Sequence, residues 1–279
     1  MPTSRSPSRD RRAKLGKVPA DAPPAYWPWV LIGAVTVLAV VVAVLPASMM
    51  VRLFPRYIQA EEFSGSVWHG SSGKLSINGR DAGAFEWRID PKSLLRLRLA
   101  AELHWVKGGF VLDGVAQFDR GNFRVHDIHG GGPIEDLHDL GVAAGVRGLA
   151  QIQFKELAGE YARLSRALGV IEVSNLASAQ IAGGANLGSY EFRLADTAVG
   201  PDGSVTADMN DTGGPLQVEA HLRISPAEHT SLLTGTMKER SDMPAELRAQ
   251  VDNLAKLQRR DAQGRIPVDL ELTFGAVTP

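Results

Sequence analysis

The chain contains no cysteine. That excludes disulfides, thiolate nucleophiles and Cys-ligated zinc or iron–sulfur centres. It also lacks a charge excess: 30 Lys and Arg stand against 31 Asp and Glu, a formal net charge of -1. Nothing in the total charge suggests nucleic acid. There is no P-loop lysine motif, no G-x-G-x-x-G after a strand pattern and no H-E-x-x-H. His69-Gly-Ser-Ser-Gly73 resembles a nucleophile turn only superficially. Gly73 follows Ser72 directly and a strand pattern comes next, so the G-x-S-x-G spacing is missing. The sequence therefore predicts no catalytic residue, no cofactor and no enzyme activity.

One long stretch lacks charge altogether. From Ala22 to Val51 no residue is ionisable as Asp, Glu, Lys or Arg. About 20 apolar residues cross the roughly 30 Å hydrocarbon layer. Tyr26, Trp27 and Trp29 stand at the start of the run, as interfacial aromatics do. Arg5, Arg9, Arg11, Arg12, Lys14 and Lys17 precede it, opposed there only by Asp10. The positive-inside rule then puts the N-terminus in the cytoplasm and the bulk of the chain beyond the membrane. A cleaved signal peptide is the competing reading. Its apolar region would run to about 7–15 residues, shorter than this one, and only Pro46-Ala47-Ser48 offers a weak cleavage site. The resulting expectation is a Ser-, Pro- and Arg-rich disordered tail over 1–25 and a transmembrane helix over 26–51.

Beyond Phe54 the pattern has period two. Gly73–Gly79, Ala84–Asp90, Leu95–Leu99, Val218–Ile224 and Val268–Phe274 alternate apolar and polar residues, the mark of strands with one buried and one wet face. Asn78-Gly79, Asp113-Gly114, Arg120-Gly-Asn122, Asp202-Gly203 and Asp211-Thr-Gly-Gly214 read as turns between them. Gly130-Gly-Gly132 reads as a further turn. Two segments read as helices. Lys155–Leu168 aligns Leu157, Tyr161, Leu164 and Leu168. Pro244–Arg259 aligns Leu247, Val251 and Leu254 after Ser241 or Asp242 as cap. Gly83-Ala-Phe-Glu-Trp-Arg-Ile89 matches Gly188-Ser-Tyr-Glu-Phe-Arg-Leu194 position by position. The fold expected is mainly β: a curved antiparallel sheet in two similar halves, 55–175 with a connecting helix and 176–279.

The densest polar segment, His126 to Asp139, holds His126, His129 and His138 among several carboxylates. These are metal-ligand types, but in a regular strand His126 and His129 fall on opposite faces. A solvated loop is the plainer reading, and no metal site is predicted.

Ser64-Gly-Ser-Val-Trp-His-Gly70 carries a G-x-V-W-x-G signature. Trp87-Arg-Ile-Asp-Pro91, Gly213-Gly-Pro-Leu216 and Asp261-Ala-Gln-Gly-Arg265 come after it in order. Together they resemble protein N of the type II (general) secretion pathway, across about 55–275. The long Arg/Ser-rich tail and the His-rich segment depart from the pattern. The resemblance implies an inner-membrane anchor, a periplasmic β-rich part and a non-enzymatic role in exporting proteins across the outer membrane. Its partners would be other secretion subunits, with the bilayer holding the anchor. It gives Trp68 and Trp87 fold-defining roles. A second possibility is a periplasmic β-groove that binds or transfers lipid or another apolar ligand.

Overall fold

The computed structural model describes residues 45–49, 58–94, 98–160, 163–228, 230–241, 243–257 and 260–273. The basic tail and the predicted span, 45–49 apart, lie outside the described residues. No helix among the described residues is long and apolar enough to cross a membrane.

The strands are β1 (Ile58–Gly65), β2 (His69–Ile77), β3 (Arg80–Ile89), β4 (Leu99–Lys107), β5 (Phe110–Asp119), β6 (Asn122–Pro133) and β7 (Val146–Glu160). They continue with β8 (Arg163–Ser178), β9 (Asn186–Leu194), β10 (Val205–Gly213), β11 (Leu216–Ser225), β12 (Thr230–Glu239) and β13 (Ile266–Thr273). Their order in space is their order in the chain, one 13-stranded open sheet. Every neighbouring pair is antiparallel. Two α-helices, α1 (Pro91–Leu94) and α2 (Ala245–Leu257), and a 3-10 helix at Ile134–Leu140 sit in the connections.

Local chemistry explains the hairpins. Asn78 and Gly79 adopt φ of 53° and 75° between β2 and β3, the left-handed pair a two-residue hairpin turn requires. Arg120-Gly121 does the same between β5 and β6, at 46° and 95°. Asp113-Gly114, in contrast, is not a turn. It lies inside β5, where the register to β6 shifts between Asp113 and Val115. Gly130–Gly132 is not a turn either, but strand β6. A Cβ on any of the three would come within 2.4 Å of a carbonyl oxygen of β5, β7 or the Gly108–Gly109 turn, so only glycine lets the neighbouring backbones approach.

The helix expected at Lys155–Leu168 is absent: β7 ends at Glu160 and β8 starts at Arg163. Two register shifts in this hairpin, between Phe154 and Glu156 and between Ala158 and Gly159, reset the strand parity. They put Phe154 with Leu157 and Leu164 with Ala167 on one face, three residues apart, a spacing that imitates a helix, while Leu168 pairs with Glu156 on the other face. Gly159, inside the segment, argues against a helix. The later helix does form as α2, with Leu247 and Val251 buried.

Register separates two faces. On one, a cross-strand row runs Ser64, Ser71, Glu86, His104, Asp113, His129, Gln153, Val170, Arg193, Asp208, His221, Thr234, Asp269. One residue further along each chain segment or one back, the opposite face carries Gly65, Gly70, Trp87, Leu103, Gly114, Ile128, Phe154, Gly169, Leu194, Ala207, Leu222, Leu233, Leu270. The first row has one apolar side chain, Val170. The second has only apolar side chains and glycine. A twisted sheet this wide curls rather than lying flat.

The core is four patches strung along the apolar face, each closed by a connection. Ala47 joins Trp87, Ile89 and Ala101. The 3-10 helix lays Ile134 on Phe110 and Ala150. The β9–β10 loop brings Ala198 onto Ala167 and Leu194. Helix α2 sets Leu247 and Val251 against Leu216, Val218 and Ile266. Burying each large side chain contributes about 1.5–3 kcal/mol.

Candidate functional site

The Ser64–Gly70 signature is a seal over Trp87. The Ser66 N–H donates to the His69 carbonyl at 2.9 Å and closes the turn. The Val67 carbonyl accepts the Trp87 Nε1–H at 2.8 Å, and the Trp68 carbonyl accepts the Ile89 N–H at 2.7 Å. A Cβ on Gly70 would stand 2.7 Å from the Trp87 ring, so glycine lets the strand lie on the indole. Phe63 meets that ring edge-on at 6.3 Å and Phe85 stacks at 6.1 Å. Leu45, at the end of the uncharged run, accepts the Val67 N–H at 2.9 Å. The signature thus ties the last residues of that run to the first strands.

The second signature, Gly213–Leu216, is pinned by Arg240. Its Nη1 donates to the Gly214 carbonyl at 2.9 Å and its Nη2 to Asp211. The Asp211 side chain is only 7% exposed and also accepts the Val218 N–H at 3.0 Å. Beside it the Tyr190 hydroxyl donates to the Leu187 carbonyl at 2.7 Å. Burial, then the Asp211 charge, pushes Tyr190 up to about 12. The Asp261–Arg265 motif is a turn in which Asp261 Oδ1 accepts the Gln263 and Arg265 N–H groups at 2.9 and 2.7 Å.

Lys107 closes a third polar knot. Its Nζ reaches Asp81 at 2.8 Å and Asp139 at 3.0 Å, with the side chain 8% exposed. Burial pulls the lysine down, but the two carboxylates outweigh it and leave it raised. The Lys107 bond, with help from the Gly83 N–H, holds Asp81 below its usual range. The Gly109 N–H donates to Asp136 at 2.6 Å, so the 3-10 helix is tied to the sheet twice. Composition gave no sign of Lys107, Tyr190, Asp211 or Arg240, because their partners lie far away in sequence.

The polar face is neutralised by its own cross-strand pairs. Arg88 meets Glu102 at 3.6 Å, Arg124 meets Glu156 at 2.9 Å, and His221 meets Asp208 at 2.6 Å. The histidines predicted for opposite faces share this one: with Asp127 bulged at φ 54°, His126 pairs with Val115 and His129 with Asp113. Their segment is strand β6 rather than a loop. His138 lies apart on the 3-10 helix, its Nδ1 2.9 Å from the Glu135 carbonyl. Among the described residues no three metal-type side chains gather into a site. A hollow of about 470 Å³ crosses β6–β9, lined by His129, Gln153 and Arg193 together with Ile128, Phe154, Leu168 and Leu194. Ser72, the elbow candidate, is buried, and its Oγ lies 2.7 Å from the Glu61 carbonyl and 3.0 Å from that of Lys74. Main-chain carbonyls accept from it there, and they cannot act as a catalytic base.

Among the described residues the arrangement offers surfaces: a wet charged face, an apolar face and two edge strands, β1 and β13. Comparison with known proteins gives these surfaces a context. The family model for type II secretion system (T2SS), protein N matches residues 56–269. A type II secretion system protein N of Aeromonas hydrophila is 26% identical over 233 residues, covering 80% of this chain and 89% of the relative. No solved structure matches the chain.

Proposed function

The chain belongs to the type II secretion system protein N family, and from that premise we propose that it is a non-catalytic, membrane-anchored subunit of the secretion machine. Residues 26–51 anchor it in the inner membrane with the basic tail 1–25 in the cytoplasm and the sheet in the periplasm. Without 45–49, which belong to the sheet unit, the run from 26 still has about the length a span needs. The observation that carries the reading is that the matched region, 56–269, coincides with β1–β13. The sheet is the family's common part, and its surfaces are where other secretion subunits bind.

The polar face and the edges suit that work. β1 carries Glu61 and Glu62, and β13 carries Pro267, Asp269 and Glu271. Charge and proline on an edge discourage indiscriminate pairing. A partner strand rich in Lys or Arg is the one these edges accept. The matching segments Gly83–Ile89 and Gly188–Leu194 fall in β3 and β9, which supports a sheet built from two related halves. No nucleic acid, cofactor or small-molecule substrate enters this reading.

The test is in-cell photo-crosslinking from positions of the polar row, such as Gln153 and Thr234, together with export assays in a deletion strain. Trapped secretion subunits and reduced export are expected. Normal export with no subunit trapped would overturn the proposal.

A further inference from the structure

Helix α2 and strands β9 and β11–β13 line an open hollow of about 310 Å³. Leu187, Tyr190, Met237, Leu247 and Val251 form most of its walls, with Gln250 and Asp269 as polar members, while Leu270 and Ile181 stand 49% and 39% exposed beside it. Its size falls in the range of small-ligand pockets. It opens onto the all-apolar row, which crosses every strand. In the middle of the strand order, Phe118 is 48% exposed beside a second hollow of about 310 Å³ at the β5–β6 turn, lined by Phe118 and Phe123 with Asp119, Arg120 and Asn122.

A protein occupant is a poor match for this surface. Protein interfaces carry about one hydrogen bond per 100–200 Å². Here the backbone groups between strands are spent on the ladder. The Trp87 N–H is taken by Val67, and the row from there to Leu270 offers no other side-chain donor or acceptor. Hydrocarbon asks for none. The chain also supplies a route: Ala47, within the uncharged run Ala22–Val51, packs with Trp87 at the start of the apolar face. Connections cover the row at Trp87, Leu194 and Ala207, which are buried, and beside the hollow it is half-buried at Leu222 and Leu233 and exposed at Leu270.

We propose that the apolar face of the sheet, including the hollow under α2, binds the acyl chains of bilayer phospholipid. The hollow and the Leu222, Leu233 and Leu270 stretch of the row beside it receive the chain, while the polar face stays in water for protein partners. This goes beyond the secretion role and does not depend on it.

The experiment uses the full chain in phosphatidylethanolamine–phosphatidylglycerol vesicles doped with a phosphatidylethanolamine bearing a diazirine in its acyl chain. After photolysis, labelled peptides are mapped. Label is expected in β12–β13 and β5–β6 as well as in the 22–44 run. Leu270→Glu should lower β12–β13 labelling about ten-fold, the loss of one buried leucine's transfer free energy. Thr234→Glu, on the other face, should leave it unchanged. Phe118→Asp gives the same test at the β5–β6 hollow if Leu270→Glu fails to fold. Label confined to 22–44, label indifferent to both charged variants, or crosslinks joining two copies through Leu270 with lipid excluded would each overturn the proposal.

Discussion

Glu86 and Trp87 are chain neighbours, as are His221 and Leu222, and Asp269 and Leu270. Each pair divides between the two faces of one sheet. Along the first row, polar side chains such as His104 with Asp113 and His221 with Asp208 meet across strands at contact distance and remain wet. Along the second, aromatic, aliphatic and glycine residues alternate, and hydrogen bonding between side chains stops. The backbone treats both rows alike, so the difference lies wholly in side chains. It shows that the ladder sets the architecture while the row identities set what each face can touch. The same division predicts unequal mutational sensitivity. Trp87→Ala should cost about 3–5 kcal/mol in chemical denaturation, since Trp87 is 3% exposed and bonds Val67. Its neighbour change Glu86→Ala should stay within about 0.5 kcal/mol. Equal losses would contradict the division.

Next in size is the most deeply buried carboxylate of the Gly213–Leu216 corner. Arg240→Met leaves Asp211, 7% exposed, with only the Val218 N–H. A fully buried pair loses more, but water reaches the guanidinium, so about 2 kcal/mol is expected. Asp211→Asn combined with Arg240→Met should recover part of it, and a thermal melt of the three variants decides.

The Lys107 knot gives a pH signature. Asp81 is held below the ordinary aspartate value of 3.8, so its contribution is present above that value and lost as pH falls through its lowered one. Lys107 is raised above 10.5, so its contribution is present below 10.5 and lost as pH rises through the raised value. Stability should therefore dip at the acid end, and Lys107→Met should flatten that dip. Asp81 is 56% exposed, so the effect is modest. An unchanged acid limb in the variant would sink the assignment. Smallest of all, a double-mutant cycle on Arg124 and Glu156, 2.9 Å apart on the wet face, should return about 0.2–1 kcal/mol, shrinking in salt.

The fold was legible where strands are regular. Val218–Ile224 alternates cleanly and lies in β11, and the Asn78-Gly79 turn stands where its chemistry required. Legibility ended where bulges change parity. Leu164 and Ala167, three residues apart, share Leu157's face because a register shift lies between them, and a helical spacing was the natural inference. The same kind of shift at Asp127 brought His126 and His129 to one face. Knots such as Lys107 with Asp81 and Asp139 join residues 26 and 32 positions apart, beyond any local pattern. The signatures at Ser64–Gly70 and Gly213–Leu216 were visible as motifs, but their meaning needed Trp87 and Arg240 in place.

One face meeting hydrocarbon while the other meets water is the claim on which the rest depends. The absence of cysteine makes the direct test clean. Single cysteines at Leu270 and at Thr234, a member of the polar row, each carrying an environment-sensitive thiol dye, are compared in the full chain with and without phospholipid vesicles. The Leu270 dye should shift to the blue and become shielded from a water-soluble quencher when lipid is added, while the Thr234 dye stays quenchable. Equal quenching at both positions in the presence of lipid would contradict the division into a lipid face and a water face.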